Sequence, residues 1–220
     1  MKAPIEYDHF YHIYNRGNNY ENIFQNNEDY NYFLELYDIY INTIADTYAW
    51  CLLKNHFHIL LRIRSEEEIG YMNAAYAHSD ELDKKWKTFF PDMPGGDFQK
   101  KPKPSEQFQH LFGTYTKYFN KKYGRAGSLF TKNFHRIRID DKRYLTNLIV
   151  YIHNNPVKHG FTGHAMDYPW SSYLTVTSTK NTKLKREDVL DYFNDLENFR
   201  YMHQTGGQDD DEQLQGLVVE

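Results

Sequence analysis

Two histidines, His56 and His58, flank Phe57 in the run Lys54-Asn-His-Phe-His-Ile-Leu-Leu-Arg62. Imidazole is a common ligand for divalent metals, and two on one surface make a partial binding site. On a strand, successive side chains alternate between faces, so His56 and His58 point one way and Phe57, Ile59 and Leu61 the other. Alone, the pair reads better as two half-exposed surface histidines, and a site requires a partner from elsewhere in the chain. Tyr151 and Asn155 supply one. They are four residues apart on a helical pattern, so they stack one turn apart and offer a phenol and an amide oxygen. On the rim of a helix packed against the sheet, they could complete a metal site. Asn155 also suits a helix C-cap, and Tyr151 also suits a half-buried helix tyrosine in a chain with 20 of them.

The flanking pattern says which elements carry these residues. Residues 9–16 alternate and stop at Gly17-Asn-Asn, a strand and a turn in which Gly17 is expected at positive φ. Asn27 and Glu28 open a helix to about Ala45, with Tyr30, Phe33, Leu34, Tyr37, Ile41 and Ile44 as its apolar stripe. A hairpin follows, with strands near 47–53 and 56–63. Ser105 opens a second helix to about Tyr123, whose Tyr115 and Tyr118 more naturally pack than react. Ser128 to Ile139 reads as the last strand. Asp140 and Asp141 cap a third helix that Pro156 is expected to end. His153 points away from Tyr151 and Asn155. Strand, helix, strand, strand, helix, strand, helix is an α+β plan. It predicts a ferredoxin-like antiparallel sheet with helices packed on one face.

The domain is expected to span residues 1–178, with an insertion at about 64–104. A helical appendage at 179–205 and an acidic tail at 206–220 follow, the tail expected to be disordered. No apolar run reaches the roughly 18 residues a membrane span needs. With no apolar signal region and one cysteine, Cys51, the expected location is the cytoplasm. Net charge is −4, yet residues 101–160 hold 12 Lys and Arg against 3 Asp and Glu. A basic segment in an acidic chain suggests a polyanion bound on one face.

Lys-Asn-His56-Phe-His58-Ile-Leu-Leu matches the HUH motif, histidine–bulky apolar–histidine. Tyr151-Ile-His-Asn-Asn155-Pro-Val-Lys-His-Gly160 followed by Tyr168-Pro-Trp-Ser-Ser-Tyr173 resembles the end of the REP-associated tyrosine transposases. These are single-tyrosine HUH transposases of the insertion-sequence-200 kind. Tyr14-Asn-Arg-Gly-Asn18 and Tyr118-Phe-Asn-Lys-Lys-Tyr-Gly-Arg-Ala-Gly-Ser-Leu-Phe130 are similar to the same family. The resemblance covers about residues 8–175. It implies an HUH endonuclease fold, His56, His58 and Asn155 as ligands of Mg²⁺ or Mn²⁺, and Tyr151 as nucleophile. More distant members carry Gln at the position of Asn155. It implies cleavage and rejoining of single-stranded or hairpin DNA through a 5′-phosphotyrosine, by a monomer or homodimer associated with the bacterial nucleoid.

The expected backbone contacts are Arg16, Lys117, Lys121, Lys122, Arg125, Lys132, Arg136, Arg138 and Lys158. Exposed aromatics could stack on unpaired bases. Three other readings compete. One is a catalytically silent hairpin DNA or RNA binder of the same fold, against which the intact His56, His58 and Tyr151 argue. Another is an HUH nickase for replication or plasmid transfer, in which a second tyrosine would sit near Tyr151; Tyr144 is seven residues away. A hydrolytic zinc enzyme would need a His motif bearing Asp or Glu, which is missing beside His56 and His58.

Overall fold

The computed structural model describes residues 4–91, 100–132 and 134–206. Its centre is a four-stranded antiparallel sheet of β1 (Phe10–Arg16), β2 (Ala45–Leu52), β3 (His56–Ile63) and, last in the chain, the strand His135–Ile139. A second, two-stranded sheet pairs β4 (Tyr71–Met72) with β5 (Thr88–Phe89), which makes His135–Ile139 β6. The central order is β2-β3-β1-β6. The long helices are α1 (Asn27–Tyr40), α3 (Pro104–Lys122) and α4 (Lys142–Lys158), with the short α2 (Leu82–Trp86) before β5. Three further helices close the described chain: α5 (Tyr173–Thr177), α6 (Arg186–Tyr192) and α7 (Leu196–Gln204).

The α+β plan with an antiparallel sheet stands, but the helices cover both faces of the sheet where one was expected. Tyr11, Ile13, Phe57, Ile59 and Leu61 point to one side, against Phe33 and Tyr37 of α1 and Phe108, Leu111 and Tyr115 of α3. Ala49, Cys51 and Leu60 point to the other, against Leu145, Leu148, Ile149 and Ile152 of α4. β3 shows it: Phe57, Ile59, Leu61 and Ile63 are buried on one face, and His56, His58 and Leu60 are buried on the other. The face that carries His56, His58 and Arg62 looks solvent-facing in sequence, yet α4 covers it.

Local chemistry fixes the helix starts. Asn26 forms a capping box with Asp29, and the Asp141 side chain accepts from Tyr144 N at 2.7 Å. Helix α3 starts at Pro104 after Lys103, so Ser105 lies inside its first turn and does not cap it. The last ladder begins at His135, later than the alternation from Ser128 suggests, although Phe130 still bridges to Gly17.

Gly17 differs from expectation. Its φ is −64°, a value open to any residue. It is glycine because of close approach: a Cβ there would sit 2.1 Å from the Glu21 carbonyl oxygen. Its N–H donates to Asn55 O at 2.8 Å, and Ile23 N donates to Lys54 O at 2.7 Å. The tip of the His56 hairpin is therefore tied down from both sides.

Pro156 does not end α4. The helix runs on to Lys158, and His159 caps it by donating to Asn155 O at 3.0 Å. A proline in the last turn removes one hydrogen bond only, and burial of Pro156 against its neighbours holds the turn. Asn155 is consequently a helix residue and not the C-cap. Behind α4, His153 sits 2.9 Å from His203 Nε2 of α7 and 2.7 Å from Ser172 Oγ, a buried chain that docks the C-terminal helix. The acidic-tail expectation for residues 207–220, like that for the loop at 92–99, lies outside the described residues.

Candidate metal and nucleophile centre

Strand register places the polar residues. In β3, His58 pairs with Tyr14 of β1 and His56 with Arg16, so all four share the α4 face. On β6, His135 pairs with Tyr14. Helix α4 crosses this face and brings its own residues in. His56 Nε2 lies 3.0 Å from Asn155 Oδ1, across 99 residues of chain. The Tyr151 ring stands edge-on to His58 with centroids 5.5 Å apart. His56, His58, Tyr151 and Asn155 are thus brought together, all buried or nearly so.

The hydrogen bonding of His56 tests whether a cation fits. Its Nδ1 faces Asn55 Oδ1 at 2.7 Å and its Nε2 faces Asn155 Oδ1, so a neutral ring has one proton for two acceptors, and the shorter contact favours Nδ1. Burial pushes its pKa down to about 4, so the ring is neutral near pH 7 and, with the proton on Nδ1, Nε2 is a bare lone pair. Nε2 then faces a second acceptor, Asn155 Oδ1. Two lone pairs about 3 Å apart are the separation of neighbouring ligands on a small octahedral ion with metal–ligand distances near 2.1 Å. The donor set, two imidazoles and an amide oxygen, fits a divalent ion and leaves positions open. Among the described residues, no group of three or more His, Cys, Asp and Glu could hold a metal ion without further ligands.

Tyr151 is a weak acid here. Burial raises its pKa above the ordinary value, while a hydrogen bond from Asn155 lowers it in part. Lys158 Nζ lies 5.0 Å from the centre of its ring. His159 adds a ring 4.9 Å from that of His56.

One residue of this centre, His12, escaped the sequence reading. It is fully buried on β1, with Nε2 2.9 Å from His58 Nδ1. Its signal was the alternation of β1, which puts His12, Tyr14 and Arg16 on one face.

The nine basic residues divide. Arg16, over the ring of Tyr20 at 4.5 Å, and Lys158 lie at the histidine face. Lys117, Lys132 and Arg136 line a separate cleft of about 790 Å³, with Gln109, Asn120, Phe112 and Phe134. Arg136 and Arg138 pair with Ile13 and Tyr11, so they point to the α1/α3 face. Three residues are held by acids: Lys122 by Glu28 and the buried Asp29, each at 2.8 Å, Arg125 by Glu21, and Arg138 by Glu6 and Asp140. Lys121 is exposed at the end of α3.

No family model matches the chain. A Haemophilus influenzae protein named as a candidate REP-associated tyrosine transposase is 27% identical over 128 residues. The match covers 58% of this chain and 58% of that protein, so the chain spans less than two thirds of its curated relative. A solved structure of a REP-associated tyrosine transposase bound to a REP hairpin superposes with a TM-score of 0.53 at 15% identity. It covers 81% of this chain and 87% of that one. This chain resembles the REP-associated tyrosine transposases in sequence and in fold. The transposase likeness accounts for the sheet and its helices. No helix among the described residues is long and apolar enough to cross a membrane.

Proposed function

We propose that this protein is a metal-dependent DNA strand transferase that cleaves and rejoins single-stranded DNA, recognising a hairpin, through a 5′-phosphotyrosine on Tyr151. The observation that carries this is the approach of His56 Nε2 to Asn155 Oδ1, with Tyr151 one helical turn from Asn155 and against His58. The hairpin named for the superposed structure supports hairpin DNA as the substrate.

His56, His58 and Asn155 would hold a Mg²⁺ or Mn²⁺ ion. When bound, the ion would neutralise charge on a phosphate oxygen and favour the phenolate. Tyr151 Oη attacks phosphorus; the new O–P bond forms as the P–O3′ bond breaks, and the departing strand leaves as a free 3′-OH after gaining a proton. Asn155 has two tasks at once, because its amide faces His56 and also bonds the Tyr151 oxygen. Without the ion, burial keeps the phenol protonated, which suppresses attack until the site is loaded. A second 3′-OH reverses the step and restores a phosphodiester without ATP.

For the DNA itself, Arg16 and Lys158 are the backbone contacts beside Tyr151, and Lys117, Lys132 and Arg136 are those of the α3 cleft. The test is cleavage of end-labelled hairpin oligonucleotides with Mn²⁺, with chelator, and with the His56→Ala variant. Metal-dependent cleavage lost in His56→Ala supports the reading. Tight hairpin binding with no cleavage over a broad oligonucleotide pool would favour a silent binder.

A further inference from the structure

Among the described residues, the buried ring of His12 has one polar contact, to His58. Its Nε2 lies 2.9 Å from His58 Nδ1. Its other nitrogen, Nδ1, is buried without a hydrogen-bond partner among the described residues. A half-satisfied buried imidazole costs stability that an apolar side chain of similar shape would not. Packing alone therefore gives no reason for histidine at this position. Stacking on Tyr14, with centroids 4.8 Å apart, and the edge of Tyr151 at 6.5 Å fix the plane of the ring.

A neutral imidazole has one N–H for its two nitrogens. The 2.9 Å contact then has two proton arrangements. If His12 donates, His58 carries its own proton on Nε2 and cannot ligate a metal through it. If His58 donates from Nδ1, its Nε2 is bare, and the unpartnered N–H falls on His12. Metal-bound histidines commonly donate their second nitrogen to a neighbouring acceptor, which fixes tautomer and orientation.

We propose that His12 is a positioning residue for the metal site: it accepts the Nδ1–H of His58 and so holds His58 Nε2 bare and aimed at the ion. The inference deepens the metal-site reading above and rests on it. In this arrangement the N–H of His12 is on its unpartnered Nδ1.

The test has two arms that fail separately. In metal-free protein labelled with ¹⁵N-histidine, long-range ¹⁵N–¹H correlation reads the tautomer of His58 directly. Nδ1–H on His58 is expected, and Nε2–H overturns the proposal. Calorimetric titration with Mn²⁺ then compares wild type, His12→Phe and His12→Gln. His12→Phe, which keeps shape but no acceptor, should weaken Mn²⁺ binding by roughly 10- to 100-fold. His12→Gln, which restores an acceptor oxygen, should recover most of that loss. Equal Mn²⁺ affinity in folded His12→Phe and wild type contradicts the role of His12. A wild type that binds no Mn²⁺ contradicts the metal reading instead, and the tautomer measurement still decides the His12–His58 bond. Should His12→Phe fail to fold, that measurement on wild type and His12→Gln carries the decision.

Discussion

His56 Nε2 and Asn155 Oδ1 face each other at 3.0 Å, and neither has a proton to give once His56 Nδ1–H is committed to Asn55. In the proposed function they are a pair of ligands for one cation. Replacing Asn155 by Leu should lower Mn²⁺ affinity by about tenfold or more, the scale seen when a metal's supporting groups are lost. Replacing it by Asp should keep or tighten binding, because a carboxylate oxygen replaces the amide oxygen and adds charge. Calorimetry on the two variants checks this. If Asp weakens Mn²⁺ binding as much as Leu, the amide oxygen is not a ligand.

Lys122 and Lys117 make opposite predictions. Lys122 joins the fully buried Asp29, which also accepts from Gln25 N, Tyr118 and Tyr123. Lys122→Ala leaves that carboxylate short of its cation and should cost about 1–3 kcal/mol of stability. Lys117→Ala, on the cleft, should leave stability within about 0.5 kcal/mol. It should weaken hairpin binding and reduce the magnitude of the salt slope by about one. Denaturant melts and binding isotherms at several salt concentrations separate the two. A Lys122→Ala variant that loses DNA affinity at unchanged stability would reverse its assignment.

The buried histidines set a pH limit. Burial lowers the pKa of His12 to about 3, of His56 and His203 to about 4, and of His58 and His153 well below the usual value. The sign follows. These groups stay neutral when folded and protonate when unfolded, so they cost nothing above the unfolded pKa of 6.5. Below it the unfolded chain binds more protons, and stability falls as pH drops toward the folded values. The loss should approach about 1 kcal/mol per histidine per pH unit. Urea midpoints should therefore decline steadily from pH 6.5 to pH 4.5. A flat profile over that range would show that these rings protonate in place.

Gly17→Ala tests how far the hairpin tip governs the site. The added Cβ would meet the Glu21 carbonyl at 2.1 Å, and Gly17 N holds Asn55, the neighbour of His56. The expected cost is about 1–3 kcal/mol with weakened Mn²⁺ binding. An unchanged melting temperature would mean that the turn relaxes freely.

Much of this was legible in the chain. Period-2 and period-3.6 patterns located β3, α1, α3 and α4, and the i, i+4 spacing put Tyr151 beside Asn155. Four things were not legible. Pro156 looked like a stop because its effect depends on position: in a final turn it forfeits a single hydrogen bond. The helix-covered second face was hidden because His56, His58 and Arg62 give that side of β3 a polar appearance. His12 was missed because its partner follows from β1 lying beside β3, and a strand's alternation gives its faces but not its neighbours. Likewise, the acids that hold Lys122 and Arg125 are about 100 residues away, so local charge could not separate structural cations from those facing solvent.

The most direct test is to map the covalent adduct. Wild-type protein is incubated with labelled single-stranded hairpin oligonucleotide and Mn²⁺, denatured, digested and sequenced by mass spectrometry. The expected result is a nucleotide phosphate on the Tyr151 peptide, absent with chelator and absent in Tyr151→Phe, which should still bind the hairpin with nearly wild-type affinity. An adduct on another residue, or cleavage that persists in Tyr151→Phe, would contradict it.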